Sequence, residues 1–86
     1  KKIQNSFNCI QCIVPNPAAD AVQLNNPFGS EKFHCTLFDI SGREVWNYET
    51  RETISRAELP LVAGGTYLAV FTSGNKIYNQ RLVVLR

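Results

Sequence analysis

The stretch Phe33–Trp46, FHCTLFDISGREVW, has the pattern of two β-strands joined by a tight turn. In its first half, Phe33, Cys35 and Leu37 occupy every second position, which is the side-chain period of a strand. Arg43–Tyr48 supplies the returning strand. Because the three alternating residues are apolar, we expect one face of this hairpin to point into a core.

The connection between these two strands, Asp39–Gly42, has the composition of a type I turn closed by a glycine. An aspartate at the first position can accept hydrogen bonds from the backbone ahead of it. A glycine at the fourth position adopts a positive φ angle without a steric penalty. This combination is a common hairpin connection, so the sequence predicts a reversal of the chain at these four residues.

Further β-type segments lie on both sides of the hairpin, separated by turn residues, and none has a helical period. About seven short strands at spacings of roughly 8–12 residues indicate an all-β fold, a seven-stranded antiparallel immunoglobulin-like β-sandwich, with an open barrel as the alternative. The strands are predicted at Phe7–Val14, Ala21–Asn25, Phe33–Phe38, Arg43–Tyr48, Thr53–Leu59, Thr66–Thr72 and Lys76–Leu85.

Several side chains in the flanking strands are expected to point inward. Val22 and Leu24 share one face of the second strand, and Ile54 and Leu59 are the expected inward residues of the fifth. Tyr67 begins a strand directly after a turn. Its hydroxyl is therefore placed to bond upstream backbone, as in the tyrosine corner of immunoglobulin-like domains.

Length and composition limit the classes of protein to consider. The 86 residues suffice for one small domain, which we expect at residues 7–86 after a lead-in from an upstream linker at residues 1–6. A net charge of +2 with scattered basic residues does not favour nucleic-acid binding. No apolar run is long enough for a transmembrane segment. The chain begins Lys-Lys and lacks methionine, so we expect it to be part of a longer protein whose targeting signal lies upstream.

Three cysteines raise the question of a metal or redox site. Cys9 and Cys12 have the spacing of a zinc or redox pair, and His34 and Cys35 would complete a set of four ligands. On a strand, however, adjacent residues point to opposite faces, so His34 and Cys35 cannot share one metal ion. We predict no metal and no cofactor. The cysteines are interpreted as small buried residues, with one disulfide between Cys35 and either Cys9 or Cys12.

Catalysis is not indicated either. His34 is the only histidine, and no nucleophile motif accompanies it. Asp39 is close in sequence but is explained by the turn. The interpretation is that the domain is not an enzyme.

Three aromatic residues, Trp46, Tyr48 and Tyr78, could form a platform for a sugar or a protein. The favoured interpretation is cross-strand aromatic pairing that enlarges a thin core.

The segment Leu82–Arg86 is an apolar strand with a basic end. One interpretation is a final strand paired within a sheet. Another is a segment to which a partner binds, for example by adding a strand at an edge. The two interpretations are compatible.

Four landmarks in this order resemble the C-terminal sorting domain of type IX secretion system cargo proteins of Bacteroidetes. They are Pro15–Asp20, Asp39–Val45, Leu59–Tyr67 and the apolar, basic-ended Leu82–Arg86. The resemblance runs from about Ile10 to the last residue. It implies a seven-stranded immunoglobulin-like sandwich and a secretion signal instead of a catalyst.

The resemblance also implies partners and a route. An upstream cargo domain in the same chain would cross the periplasm, pass through the outer-membrane translocon, and reach the outer membrane, the cell surface or the medium. A sortase-like cysteine endopeptidase commonly removes such domains and attaches the cargo to the surface. A fibronectin-like or carbohydrate-binding accessory module is the alternative function.

Site residues follow from the resemblance in two groups. Recognition by the translocon is expected in the last strand, which would present its apolar side chains, at Arg81, Leu82, Val83, Val84, Leu85 and Arg86. Structural roles are expected for the family motif residues Pro15, Asn16, Pro17, Asp20, Asp39, Gly42, Arg43, Gly65 and Tyr67.

Overall fold

The computed structural model describes residues 5–59 and 62–86, and this part of the chain contains β-strands and no helix. The all-β prediction is confirmed. A five-stranded sheet has the order β1-β8-β7-β4-β5, and a three-stranded sheet has the order β2-β3-β6. The strands are β1 (Asn5–Asn8), β2 (Ile13–Val14), β3 (Ala21–Asn25), β4 (Phe33–Phe38), β5 (Glu44–Thr50), β6 (Ile54–Glu58), β7 (Gly65–Ser73) and β8 (Lys76–Val84).

The described residues form eight strands instead of seven, because the predicted strand Phe7–Val14 is divided between the two sheets. β1 pairs with β8 in parallel, and β2 pairs with β3 antiparallel, so the larger sheet is not wholly antiparallel. The chain bends between them at Cys9–Cys12. Cys12 and Ile13 are adjacent and both buried, which a straight strand at a sheet surface does not allow.

The predicted hairpin is present. β4 and β5 pair antiparallel, with Leu37 opposite Trp46 and a bulge between Leu37 and Phe38. At the turn, the Gly42 N–H donates to the Asp39 carbonyl at 2.9 Å, and Gly42 has a φ of 89°. The positive φ explains the glycine, since a side chain at this position would be strained.

One buried cluster contains inward-facing residues of both sheets. It includes the predicted inward residues of β3, Val22 and Leu24, and the predicted Leu59. Ile54 was predicted inward, but it is 61% exposed. β6 pairs with β3 so that Ser55 and Ala57 lie opposite the two buried β3 residues and take the inward positions. The other apolar members of the cluster are Cys12, Ile13, Ala18, Phe28, Phe33, Cys35, Leu37, Val62, Tyr67, Ala69, Phe71, Leu82 and Val84.

The tyrosine corner is confirmed. The Tyr67 hydroxyl donates to the carbonyl of Ala63 at 2.6 Å. This bond holds the chain that leads into β7, whose first residue, Gly65, pairs with Val84 near the end of β8. The corner therefore supports the region in which the predicted recognition segment lies.

Candidate functional site

The predicted recognition segment, Arg81–Arg86, divides between the core and the surface. Leu82 and Val84 are 0% and 1% exposed, because alternate side chains of β8 point inward. Val83 is half-buried. The groups that a partner can reach on the folded domain are Arg81 and Leu85, the latter 60% exposed, together with Arg86.

The outer edge of this segment is bonded to the side chain of Asn16. The Asn16 Nδ2 donates to the carbonyl of Arg81 at 2.7 Å, and its Oδ1 accepts from the N–H of Val83 at 3.0 Å. Through these two hydrogen bonds, the side-chain amide takes the place of a peptide group of a neighbouring strand. The peptide bonds before Pro15 and Pro17 are both cis.

Backbone of the same motif continues this pairing. Ala18 donates its N–H to the Val83 carbonyl at 2.7 Å and accepts from the Leu85 N–H at 2.8 Å. Ala18 is 1% exposed, so this contact is part of the core. The motif around the two prolines and the end of β8 therefore form one hydrogen-bonded unit.

Arg86 adds contacts between the end of the chain and the residues that follow the two prolines and β6. Its guanidinium donates to the carbonyls of Leu59 and Ala19, the latter at 3.3 Å. It also lies 3.9 Å from Oδ1 of Asp20. These contacts hold the guanidinium against the domain, so the basic end of the segment has a defined position.

On the inner side, β8 is bonded to the other sheet through Gln80. The Gln80 side chain is buried; its Oε1 accepts from the N–H groups of Cys12 and Ile13 at 2.9 and 3.1 Å. Its Nε2 donates to the Ile13 carbonyl at 2.9 Å. One side chain therefore satisfies three backbone groups of Cys12 and Ile13, at the start of β2, which would otherwise be costly to bury.

The outward face beside Arg81 carries exposed apolar side chains among polar ones such as Asn8 and Asn79. Arg81 lies opposite Leu68 in the pairing of β8 with β7, and Leu68 is 45% exposed. These two residues line two adjoining grooves, one bordered by Ile10 and the other by Ile40. Ile10 and Ile40 are 84% and 91% exposed. We call Ile10, Ile40, Leu68 and Arg81 the Arg81 patch.

A comparison with known protein families matches residues 12–85 to the family described as the secretion system C-terminal sorting domain. The chain belongs to this family. It is a type IX secretion C-terminal sorting domain, which confirms the resemblance drawn from the sequence. No curated protein matches the chain.

A sorting domain marks its protein for export toward the outer membrane, the cell surface or the medium, and such a family is not catalytic.

In this sorting domain, His34 is exposed and its Nε2 lies 3.3 Å from Glu49, which also pairs with Lys32. The arrangement is that of a surface ion-pair cluster. Within the described ranges, no helix is long and apolar enough to span a bilayer.

The cysteines of the sorting domain differ from the prediction. The disulfide joins Cys9 to Cys12, and Cys35 is free. The bend between β1 and β2 brings Cys9 and Cys12 together, whereas a straight strand would have separated them. Cys35 is an inward-facing residue of β4 in the core, and burial raises the pKa of its thiol to about 12. Across residues 5–59 and 62–86, no three His, Cys, Asp or Glu side chains are grouped closely enough to hold a metal ion.

Asp39 organises its turn through one carboxylate oxygen. Its Oδ1 accepts from the hydroxyl and the N–H of Ser41 at 2.7 and 2.9 Å, and from the Arg43 N–H at 3.0 Å. The pKa of Asp39 is lowered, chiefly by the Ser41 hydroxyl and then by the Arg43 backbone.

Of the two glycines near Tyr67, Gly64 is the one that lies close to another part of the backbone. A Cβ at Gly64 would lie 3.4 Å from the backbone of Arg86.

The aromatic residues do not form one platform. Trp46 and Tyr48 on β5 stack with centroids 5.9 Å apart, while Tyr78 on β8 packs against Phe28 at 5.3 Å. β4 and β7 separate the two groups. The Trp46 Nε1 donates to the carbonyl of Glu58 on β6 at 3.0 Å, which links the two sheets. All three rings pack against the core cluster, as in the favoured interpretation, but Trp46 and Tyr48 pair along β5 and not across two strands.

Sequence reasoning missed the roles of Asn16 and Gln80. Asn16 was assigned only as part of a motif, although neither residue flanking this asparagine, Pro15 or Pro17, has a backbone N–H for its side chain to bond. Gln80 precedes Leu82 and Val84 by two and four positions, which places a polar side chain on the inward face of a strand. That conflict with burial was the available signal for a buried hydrogen-bonding role.

Proposed function

We propose that this domain directs an upstream cargo domain across the periplasm and through the type IX outer-membrane translocon. The observation that supports this proposal is the family match over residues 12–85. We further propose that residues 7–86, together with Asn5 and Ser6 of β1, act as one immunoglobulin-like sandwich after an upstream linker. A sortase-like cysteine endopeptidase then removes the domain and attaches the cargo to the surface.

Recognition of the folded domain uses the solvent-facing members of Arg81–Arg86. Arg81, Leu85 and Arg86 contact the translocon, and the rest of the Arg81 patch adds apolar area next to the guanidinium. Support comes from exposure: a basic group beside exposed apolar side chains is typical of a binding surface. Leu82, Val83 and Val84 contribute by holding the strand in place, since two of them are buried.

The experiment uses a reporter fused upstream of the domain in a host with a working type IX system. Deleting Leu82–Arg86 also removes two core residues, so a loss of secretion would not separate recognition from folding. The sharper variant is Arg81→Glu with Leu85→Asp, which changes exposed side chains only. We expect this reporter to accumulate in the periplasm.

The matched control is Ile54→Asp. Ile54 is 61% exposed and Leu85 60%, but Ile54 lies on the three-stranded sheet. We expect the control reporter to reach the surface normally, and circular dichroism should show that both purified variants are folded. Normal surface delivery of the Arg81→Glu, Leu85→Asp reporter would refute recognition through this segment.

A further inference from the structure

We propose that the outer edge of β8 at Lys76–Asn79 is a strand-addition site for an extended polypeptide of a partner protein. In the structure β1 covers this edge, and reduction of the Cys9–Cys12 disulfide opens it. The role of the partner as part of the secretion machinery rests on the proposed function. The site itself depends on the contacts of β1 with β8.

The edge of β8 has two parts that are covered differently. At Val83 and Leu85, the covering groups are Asn16 and Ala18, and Ala18 is buried in the core. At Lys76–Asn79, the covering strand is β1 alone. Opening the first part would disrupt the core, whereas opening the second removes only an edge strand.

β1 has few attachments. It is four residues long, and among the described strands it pairs with β8 only. Its one large apolar side chain, Phe7, is 51% exposed and packs on Tyr78 with ring centroids 5.6 Å apart. Ser6 and Asn8 are exposed. Such a strand is held mainly by its backbone hydrogen bonds and opens at a low free-energy cost.

The disulfide holds the end of β1 in place. The Cys9 N–H donates to the Asn79 carbonyl at 2.8 Å, directly after β1 ends. The Cys9 sulfur is bonded to Cys12, which is 2% exposed in the core. A dithiol reductant transfers two electrons and two protons, so the S–S bond breaks, two thiols form and the reductant becomes a disulfide. Cys9 is then free to leave β8.

β1 itself indicates the chemistry of the partner. The edge accepts a parallel strand whose aromatic ring packs on Tyr78. The residue before the aromatic, Ser6, accepts from the Asn79 Nδ2 at 2.9 Å. The site therefore fits an extended segment in which an aromatic residue follows a small hydroxyl residue, bound chiefly by main-chain hydrogen bonds.

Hydrogen exchange on the full chain tests the opening. The Asn79 carbonyl points to β1, so by alternation the N–H groups of Ile77 and Asn79 do also. In a dithiol, and in the double variant Cys9→Ser, Cys12→Ser without reductant, these two amides should exchange about tenfold faster, roughly the effect of one lost hydrogen bond. The Val83 amide, bonded to Asn16, is the internal control and should not change. An unchanged Ile77 rate, or an equal acceleration at Val83, would overturn the proposal.

A peptide tests the binding. The probe is a synthetic peptide with blocked ends and the sequence Gln-Asn-Ser-Phe-Asn, which reproduces residues 4–8. In NMR titrations it should shift the Ile77 and Asn79 amides of the reduced chain and not those of the oxidised chain. A peptide with alanine in place of phenylalanine is the control and should bind more weakly. Equal binding to both redox forms, or none to the reduced form, would overturn the site.

Neither the hydrogen-exchange measurement nor the peptide titration reports on secretion. A negative result here leaves the proposed function standing, whereas normal delivery of the Arg81→Glu, Leu85→Asp reporter counts against recognition through Arg81–Arg86 whatever the peptide does.

Discussion

The Oδ1 atom of Asn16 accepts a hydrogen bond from the N–H of Val83 at 3.0 Å, across a separation of 67 residues. Asn16 also donates a hydrogen bond to the Arg81 carbonyl, so its side chain occupies the outer edge of β8 at the recognition segment. The sequence had suggested this edge as a place where a partner could add a strand. Edge strands with unpaired backbone groups invite pairing with other chains. The side chain of Asn16 therefore protects the segment from pairing while leaving Arg81 exposed.

Replacing Asn16 by alanine should lower the free energy of unfolding by about 1–2 kcal/mol. Two hydrogen bonds are lost, each contributing about 0.5–1.5 kcal/mol, and water can reach the freed groups. Urea unfolding measures the change. Asn47→Ala is the matched control, since the Asn47 side chain bonds the exposed Glu44 carboxylate. Its effect should stay within about 0.5 kcal/mol, and equal losses for both variants would contradict the role of Asn16.

Replacing Gln80 by leucine should be more damaging than the loss of Asn16. The substitution keeps a similar volume but leaves three backbone groups of Cys12 and Ile13 without their partner in a buried site. A buried unsatisfied group costs about 1–3 kcal/mol, so we expect a loss of at least about 2 kcal/mol in chemical denaturation. Gln23→Leu, on the exposed side of β3, is the control. The assignment fails if the two substitutions have the same effect.

Tyr67→Phe should reduce stability by about 1 kcal/mol, because it removes only the hydroxyl that bonds the Ala63 carbonyl. Thermal unfolding followed by circular dichroism reports the change. Tyr48→Phe is the matched control, since its ring stacks on Trp46 and is retained. We expect the control to shift stability by less than about 0.5 kcal/mol. A silent Tyr67→Phe would mean that the corner does not contribute to stability.

Acid should weaken the hairpin turn through Asp39. Its pKa is lowered in the folded state, first by the Ser41 hydroxyl bond, so the carboxylate form is favoured by folding. The stabilisation is full above the ordinary aspartate pKa and is lost as the pH falls through the lowered value. Melting temperatures measured from about pH 6 to pH 2 should fall less steeply for Asp39→Asn than for the wild type.

Glu49 gives a second acid-sensitive contribution with the same sign. Its pKa is lowered chiefly by the hydrogen bond from Lys32. Some acid sensitivity should therefore remain in the Asp39→Asn variant, and the added substitution Glu49→Gln should reduce it further. Identical pH profiles for Asp39→Asn and the wild type would contradict the role of the turn carboxylate.

Local patterns carried a large part of the fold. The alternation of Phe33, Cys35 and Leu37 predicted the buried face of β4, and the turn at Asp39–Gly42 was predicted from its two end residues. The tyrosine corner at Tyr67 was predicted in the same way. Each of these features depends on residues a few positions apart, where backbone geometry and side-chain chemistry restrict the chain directly.

Other features could not be read locally. The division of Phe7–Val14 into two strands follows from β8 and β3 lying in different sheets, and the Cys9–Cys12 pairing follows from that division. Ile54 was placed inward because it is apolar, yet the pairing of β6 with β3 set the opposite phase. Apolar residues on both faces of a short strand leave its register open until its neighbours are known.

The order of motifs along the chain identified the family and the segment proposed for recognition. This was possible because each motif consists of residues that are close together in the sequence. Which atoms of that segment are accessible depended on packing. Leu82 and Val84 face the core, Asn16 covers the strand edge, and Gln80 joins the sheets from 67 residues away. A polar side chain has many possible partners in a sequence, and only the approach of distant strands selects one of them.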